Sequence, residues 1–423
     1  MPRGPVAVVF HRFAPYHLAR LEAAGSRLPV IGIEVVAKDK TYAWDVVQGA
    51  NGFRRVTLFG KEAECRRAGA LGRRLWEVLE RERPAVVALP GWAFVEALAG
   101  LVWTVRRGVP AVLMSDSQVH DRRRHPVTEW IKRRVVGLYA AALVGGSTHA
   151  GYAANLGMPR ERIFTGYDVV DNGHFARGAA LARGQAGLRG RLGLPERYFL
   201  SVCRFERVKN IPALLEAYWR YRQKAADPSP LVLVGDGSLG SRVRAEVGRW
   251  DLECAVFLPG FRQYGELPAY YGLAGCFVLA STSEPWGLVV NEAMASGLPV
   301  LVSRRCGCAP DLVEEGGNGF TFDPCDVEQL AELMRRVSAM PEEQRQAMGR
   351  RSQEIISRWG PERFARSLAK AVEAALSAPQ RKAAAMDRML LSALIALEGC
   401  AEWGRRCLTS AKDLGGCPSC PIG

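Results

Sequence analysis

The chain contains no Asp-x-Asp triplet, which removes a common carboxylate pattern for holding a divalent cation, so no metal is expected. No uninterrupted apolar stretch reaches the roughly 20 residues that a membrane-spanning helix needs. The opening Met1-Pro2-Arg3-Gly4-Pro5 runs straight into Val6–Phe10, too short an apolar run for a secretory leader and without a small-residue cleavage pattern. The eleven cysteines are an odd number, and most, such as Cys203 and Cys276, lie in apolar runs where a thiol behaves as a small hydrophobe. A reducing compartment follows, and the cytoplasm is the expected location, at most at the periphery of its membrane. An aromatic-rich motif for reading bases is also lacking, so nucleic acid is not an expected partner.

What is present is enough chain for two domains. At 423 residues a single core would be overextended, and two α/β domains of ordinary size fit the length. The hydrophobic fraction of 48% and charged fraction of 24% are those of a protein folded along most of its length. The net charge of +14 is uneven, with 28 Lys and Arg against 16 Asp and Glu in residues 1–189. The basic surface therefore belongs to the first half, where nucleic acid, an anionic membrane face or an acidic small molecule would suit it.

Short β-branched runs recur with helix-like segments between them: Val6–His11, Val30–Ala37, Val86–Pro90, Ala111–Ser115 and Ala141–Gly145. Continuous rather than alternating runs are strands covered on both faces, which means a parallel sheet flanked by helices. A second series follows in Phe199–Arg204, Leu231–Gly235, Val256–Leu258, Cys276–Ala280 and Pro299–Ser303. The expected division is a first domain over 1–175, a glycine-rich linker over 176–197, a second domain over 198–360, a closing helix over 361–378 and a helical or loose tail over 379–423.

Three motifs carry chemistry. In Ser201-Val202-Cys203-Arg204-Phe205-Glu206-Arg207-Val208-Lys209, a strand ends at an arginine and a lysine follows five residues later. Ligands of doubly wound sheets bind beyond the carboxyl ends of the strands, and a guanidinium with an ammonium suits a diphosphate. Alone, the pair reads equally as two solvated cations. The turn Gly235-Asp236-Gly237 lets backbone approach a ligand, although such a turn is common. In Ser281–Pro299 a strand leads through Trp286-Gly287-Leu288 into a helix whose first N–H groups, on Gly287, Leu288 and Val289, can face an anion. Glu284 and Glu292 flank that helix start; the second can take both hydroxyls of a ribose and the first can face a sugar.

These residues, in this order over about residues 195–325, resemble the retaining glycosyltransferases of family 4. The carriers are Arg204 and Lys209, Gly235-Asp236-Gly237, the Glu-x7-Glu pair Glu284 and Glu292, and the run Ala293–Pro299. The resemblance implies the GT-B fold, an α/β architecture of two doubly wound Rossmann-like domains facing across a cleft, here with an extra C-terminal helical tail. It implies that Arg204 and Lys209 bind the diphosphate of a nucleotide-diphosphate-sugar, that Glu292 binds ribose, that Glu284 lies beside the transferred sugar, and that Gly287, Leu288 and Val289 complete the phosphate site. Phe261 and Arg262 would lie near the base. Arg204, Lys209 and Glu284 are then the catalytic candidates, with the nucleotide-sugar as co-substrate and no cofactor. Rival readings are a nucleotide-sugar binding protein without catalysis, and a phosphorylase or epimerase on the same scaffold.

The first half departs from the family pattern. The family often has a histidine after the strand equivalent to Ala111–Ser115; here Ser115-Asp116-Ser117-Gln118-Val119-His120 follows, making Asp116 and His120 candidates on the acceptor side. His11 and His17 after the first strand are two more, and the usual glycine-rich loop there is replaced by Phe13-Ala14-Pro15-Tyr16-His17. Arg122-Arg123-Arg124 and Lys132-Arg133-Arg134 lie on either side of Trp130 and Ile131, on an expected helix from Pro126 to about Tyr139. Such a helix suits anionic lipid headgroups, or is simply a solvated face. Cys417-Pro418-Ser419-Cys420 with Cys400 and Cys407 near the end offers four thiols, but structural zinc usually takes two Cys-x(2–4)-Cys pairs and the 400/407 gap is too wide for one, so zinc is not expected.

Overall fold

The structure is a computed structural model that describes residues 4–38, 47, 49–61, 68–121, 124–379 and 383–399. Arg122, Arg123 and the cysteines from Cys400 onward lie outside the described residues. The chain forms two compact units, one running to Val169 and resuming at Pro361, the other spanning Val170–Gly360.

Among the described residues the first unit holds strands β1 (Val6–Phe10), β2 (Val30–Val36), β3 (Arg54–Phe59), β4 (Val86–Pro90), β5 (Ala111–Ser115), β6 (Ala141–Val144) and β7 (Ile163–Thr165). Its helices are α1 (Pro15–Gly25), α2 (Ala68–Glu82), α3 (Val95–Arg107), α4 (Pro126–Val136) and α5 (Ser147–Asn155). The strands are parallel in the order β3-β2-β1-β4-β5-β6-β7. Successive side chains of a strand point to opposite faces, so Ala7 and Val9 join one core with α2 and α3, while Val6, Val8 and Phe10 join another. Burial on both faces is why β1, β4 and β6 are apolar throughout.

The second unit carries α6 (Asn172–Gly184), α7 (Leu188–Leu192), β8 (Phe199–Val202), α8 (Ile211–Lys224), β9 (Leu231–Val234), α9 (Gly240–Arg249), β10 (Val256–Gly260), α10 (Leu267–Leu273), β11 (Cys276–Leu279), α11 (Leu288–Ala295), β12 (Val300–Ser303), α12 (Ala309–Leu312), β13 (Gly319–Phe322), α13 (Val327–Ala339) and α14 (Glu342–Ile356). Its strands are parallel in the order β10-β9-β8-β11-β12-β13. The order reverses between β8 and β11, the switch point where such sheets take ligands.

After Gly360 the chain supplies α15 (Pro361–Ser377) and α16 (Ala385–Gly399) to the first unit. Phe364, Leu368, Ala371 and Val372 of α15 pack with Phe10, Val112 and Leu143 in its second core.

Two expectations change here. The stretch 176–197 is not an extended linker: it contains most of α6 and all of α7. Asp171 caps α6 by accepting from His174 N at 3.0 Å, and Phe175, Ala179 and Ala182 are buried. Its glycine at 178 is a packing contact, because a Cβ there would stand 2.5 Å from Pro268 Cβ on α10. The edge strands β3, β7 and β13, absent from the sequence reading, complete the sheets.

Candidate functional site

The loops after β8 and β11 meet at the switch point of the second sheet. Thr282 N donates to Val208 O at 2.9 Å, which ties the two loops together by their backbones. A single 3-10 turn, Arg207–Lys209, then aims Lys209 at the other loop, where its ammonium donates to the Glu284 carboxylate. Ser281 Oγ donates to the same oxygen at 3.2 Å. Burial pulls the ammonium towards its neutral form, but the Glu284 charge and hydrogen bond outweigh that pull and hold the Lys209 pKa above its ordinary value.

Two thiols, Cys203 and Cys306, lie within electrostatic reach of this pair without competing for its charge. Burial pushes the Cys203 thiol up to about 11 against the opposing pull of Lys209. Burial, then the neighbouring Cys308, drives the Cys306 thiol well above its usual range. Both stay protonated at neutral pH, leaving Lys209 and Glu284 as the charged members.

Arg204 leaves the same strand end, and its Nη1 pairs with Glu206 Oε1 at 2.9 Å. Its side chain is 46% exposed, against 14% for Lys209, so it is the more open of the two to solvent. The glycine turn after β9 is shaped by close contact. Gly235 has φ +143°, and a Cβ there would lie 1.9 Å from Cys203 O; only glycine permits the loops after β8 and β9 to touch.

Gly287 has φ +102° and begins α11. A Cβ there would sit 3.4 Å from Glu284 Cγ, which places the helix start beside the ion pair, with the amides of Leu288 and Val289 in the first turn. Cys308 N donates to Trp286 O and Gly307 N to Glu284 O, at 3.1 and 3.0 Å, so the loop backbone before α11 is held from the far side. Trp286 Nε1 donates to Asn291 Oδ1 at 2.8 Å and locks the loop onto the helix.

Glu292 is fully buried in α11, and Tyr271 OH donates to its Oε2 at 2.7 Å. Tyr264, whose hydroxyl burial and then the Glu292 charge hold in its protonated form, stacks on His174 with ring centroids 4.2 Å apart. Tyr271, Tyr264 and His174 were missed in the sequence because each lies far along the chain from Glu292 in no recognisable spacing. Arg262 Nε donates to Tyr270 OH at 2.6 Å, and Nη1 lies 3.4 Å from Phe261 O, so the guanidinium is held against α10.

The first unit distributes its candidates differently. His11 Nδ1 lies 3.1 Å from Oε1 of Glu96 on α3, a buried carboxylate that the sequence reading did not include. His17 Nδ1 accepts from Ala14 N at 3.0 Å, and its ring lies 4.3 Å from that of Phe10. Burial, then Arg20 and Arg12, lower its pKa to about 3, so the imidazole is neutral and serves the start of α1. Asp116 and His120 are exposed in the loop after β5. Within electrostatic reach of Asp116, though not in the sequence reading, is buried Asp168, whose Oδ1 lies 3.6 Å from Arg20 Nη2. Burial and the Asp116 charge raise its pKa to about 7 against the pull of Arg20.

Comparison with known proteins agrees with this architecture. Residues 189–355 match the family described as glycosyl transferases group 1. Over 108 residues the chain is 43% identical to sulfoquinovosyl transferase SQD2 of Arabidopsis thaliana, a match covering 25% of this chain and 21% of that protein. The curated relatives it matches are spanned over only 14% to 50% of their own length. Sucrose-phosphate synthase from Thermosynechococcus elongatus superposes with a TM-score of 0.69 at 19% identity, covering 87% of this chain and 98% of that one. The Anabaena protein HepE, solved with UDP-glucose, gives 0.67 at 16% identity over 88% and 100% of the two chains. The chain therefore has the GT-B fold, and its residues 189–355 match the glycosyl transferases group 1.

Proposed function

We propose that the chain is a retaining glycosyltransferase of the family 4 type that moves a sugar from a nucleotide-diphosphate-sugar to an acceptor without a metal or other cofactor. The observation that carries the reading is the half-buried Lys209–Glu284 pair at the switch point, beside the first turn of α11. Breaking the bond from the anomeric carbon to the diphosphate builds negative charge on the leaving phosphate. Lys209, Arg204 and the amides of Leu288 and Val289 would oppose that charge from fixed positions, supplying what a divalent ion supplies elsewhere. Glu292, steadied by Tyr271, would take the ribose hydroxyls. Glu284 would orient hydroxyls of the transferred sugar; a glycosidase role is a poor fit, because a diphosphate leaves with little acid help. HepE has been solved with UDP-glucose, which makes that donor the first to test.

The acceptor side is assigned to the first unit, with His11, Asp116 and His120 as its candidates. The acceptor class is a glycan, a lipid or lipid-linked sugar, or a small molecule, and the name of the plant sulfoquinovosyl transferase makes a sugar-bearing lipid worth including. The cytoplasm is the proposed location, and nucleic acid is not a proposed partner.

The test is incubation with labelled nucleotide-sugars, with and without chelator, followed by product analysis and assignment of the anomeric configuration. A retained glycosidic product formed in chelator supports the reading. Donor binding with neither transfer nor donor hydrolysis makes the chain a binding protein, release of a sugar phosphate makes it a phosphorylase, and an altered nucleotide-sugar makes it an epimerase.

A further inference from the structure

We propose that α4 and α16 together present one apolar and basic face that seats the protein on an anionic lipid bilayer. The basic run of α4 alone is ambiguous, since charge runs are usually solvated. What changes the argument is α16, which is apolar on both sides. Leu391 and Leu394 are buried in the core shared with α2 and α3, yet Met386 is 51%, Met389 73% and Leu397 49% exposed. On α4, Val127 is 58% and Trp130 47% exposed. Exposed side chains of this size gathered on neighbouring helices mark a surface that is covered in use.

The two helices are joined by one charged contact. Arg134 Nη2 of α4 pairs with Oδ1 of Asp387 at 2.7 Å, and that carboxylate is nearly fully buried. Asp387 Oδ2 also accepts from Ala384 N at 3.0 Å, fixing the first turn of α16. The Arg134 guanidinium in turn stands 6.0 Å from the centre of the Trp130 ring. Trp130 and Met386 thus flank a single arginine–aspartate pair.

Charge selects the occupant. Among the described side chains of α4 and α16, both carboxylates are already engaged, Asp387 by Arg134 and Glu129 by Lys132 Nζ at 2.9 Å and Tyr152 OH at 2.9 Å. The exposed ionic side chains between the apolar ones are Arg133 and Arg388. A second copy of the same face would bring like charges together, whereas an anionic leaflet attracts them. Geometry sets the mode. Fifteen residues of α16 extend about 22 Å, short of the roughly 30 Å hydrocarbon layer, so the helix lies in the interface plane with its methionines inward and Trp130 at headgroup level.

Flotation of the full chain with vesicles tests this independently of sugar transfer, because lipid binding is the only readout. The wild type is expected to float with phosphatidylcholine vesicles containing phosphatidylglycerol and to stay down with phosphatidylcholine alone. Met386→Glu with Met389→Glu, and separately Arg133→Glu with Arg388→Glu, are expected to weaken binding by about tenfold or more with the thermal melt retained. Met389→Gln is the milder variant should the first pair unfold, with a smaller loss expected. The proposal is overturned if the wild type ignores anionic vesicles, if binding survives both pairs and the milder variant, or if the wild type is a dimer that the methionine changes dissociate without any lipid binding.

Discussion

Lys209 and Glu284, 75 residues apart in sequence, form one half-buried ion pair across the switch point of the second sheet. Each is the other's compensation. Removing either leaves a charge in a site from which water is largely excluded, and this asymmetry makes the pair testable.

Glu284→Gln removes the charge that holds the Lys209 pKa high and leaves burial, which pulls it down. The basic limb of the pH–rate profile for transfer is therefore expected to move to lower pH. Lys209→Ala should cut turnover by ~10²-fold or more while the melt stays cooperative. Turnover equal to wild type in the alanine variant rules out the phosphate role.

Tyr271→Phe deletes a hydroxyl that donates to Oε2 of Glu292 at 2.7 Å. The carboxylate keeps its charge but loses its orientation, so a rise in KM for the nucleotide-sugar of roughly tenfold is expected, with kcat changed less. An equal fall in kcat at constant KM would place Tyr271 in the transition state instead.

Asp168 gives stability a pH dependence of known sign. Its folded pKa, about 7, lies above the ordinary 3.8, so its contribution is complete below pH ~4 and is lost as pH rises through 7. Asp168→Asn should flatten the fall in stability between pH 5 and pH 8, by a few kcal/mol at most. Denaturant melts at the two values read the difference, and parallel wild-type and variant curves contradict the assignment.

Phe364 of α15 is fully buried in the first unit's second core. Phe364→Ala should cost about 3–5 kcal/mol in unfolding free energy. If the loss is below 1 kcal/mol, α15 does not close that core.

The sequence made the second sheet and its loops readable because the strands are buried on both faces and because Arg204, Lys209, Glu284 and Glu292 follow strand ends at short, fixed distances. Three of the four edge strands escaped the same reading. Arg54–Phe59 opens on two arginines and is only partly buried, Ile163–Thr165 is three residues long, and Gly319–Phe322 opens on a glycine where a Cβ would strike Val300 O at 2.0 Å, so only glycine fits. The helix Asn172–Gly184 looked like a linker because its glycine composition suggested freedom, whereas Gly178 serves contact with Pro268. Tyr271 and Asp168 acquire their roles only through tertiary neighbours, and no local spacing announces either.

The first unit is assembled from both ends of the described chain, since α15 and α16 follow all of the second unit in sequence yet pack with β1 to β7 and their helices. During synthesis its sheet emerges first but keeps one apolar flank bare until the whole of the second unit, from Val170 to Gly360, has followed β7. The second unit, contiguous from Val170 to Gly360, has every strand it needs well before then. Emergence and completion therefore run in opposite orders, and the waiting flank is where a ribosome-bound chaperone has most to protect.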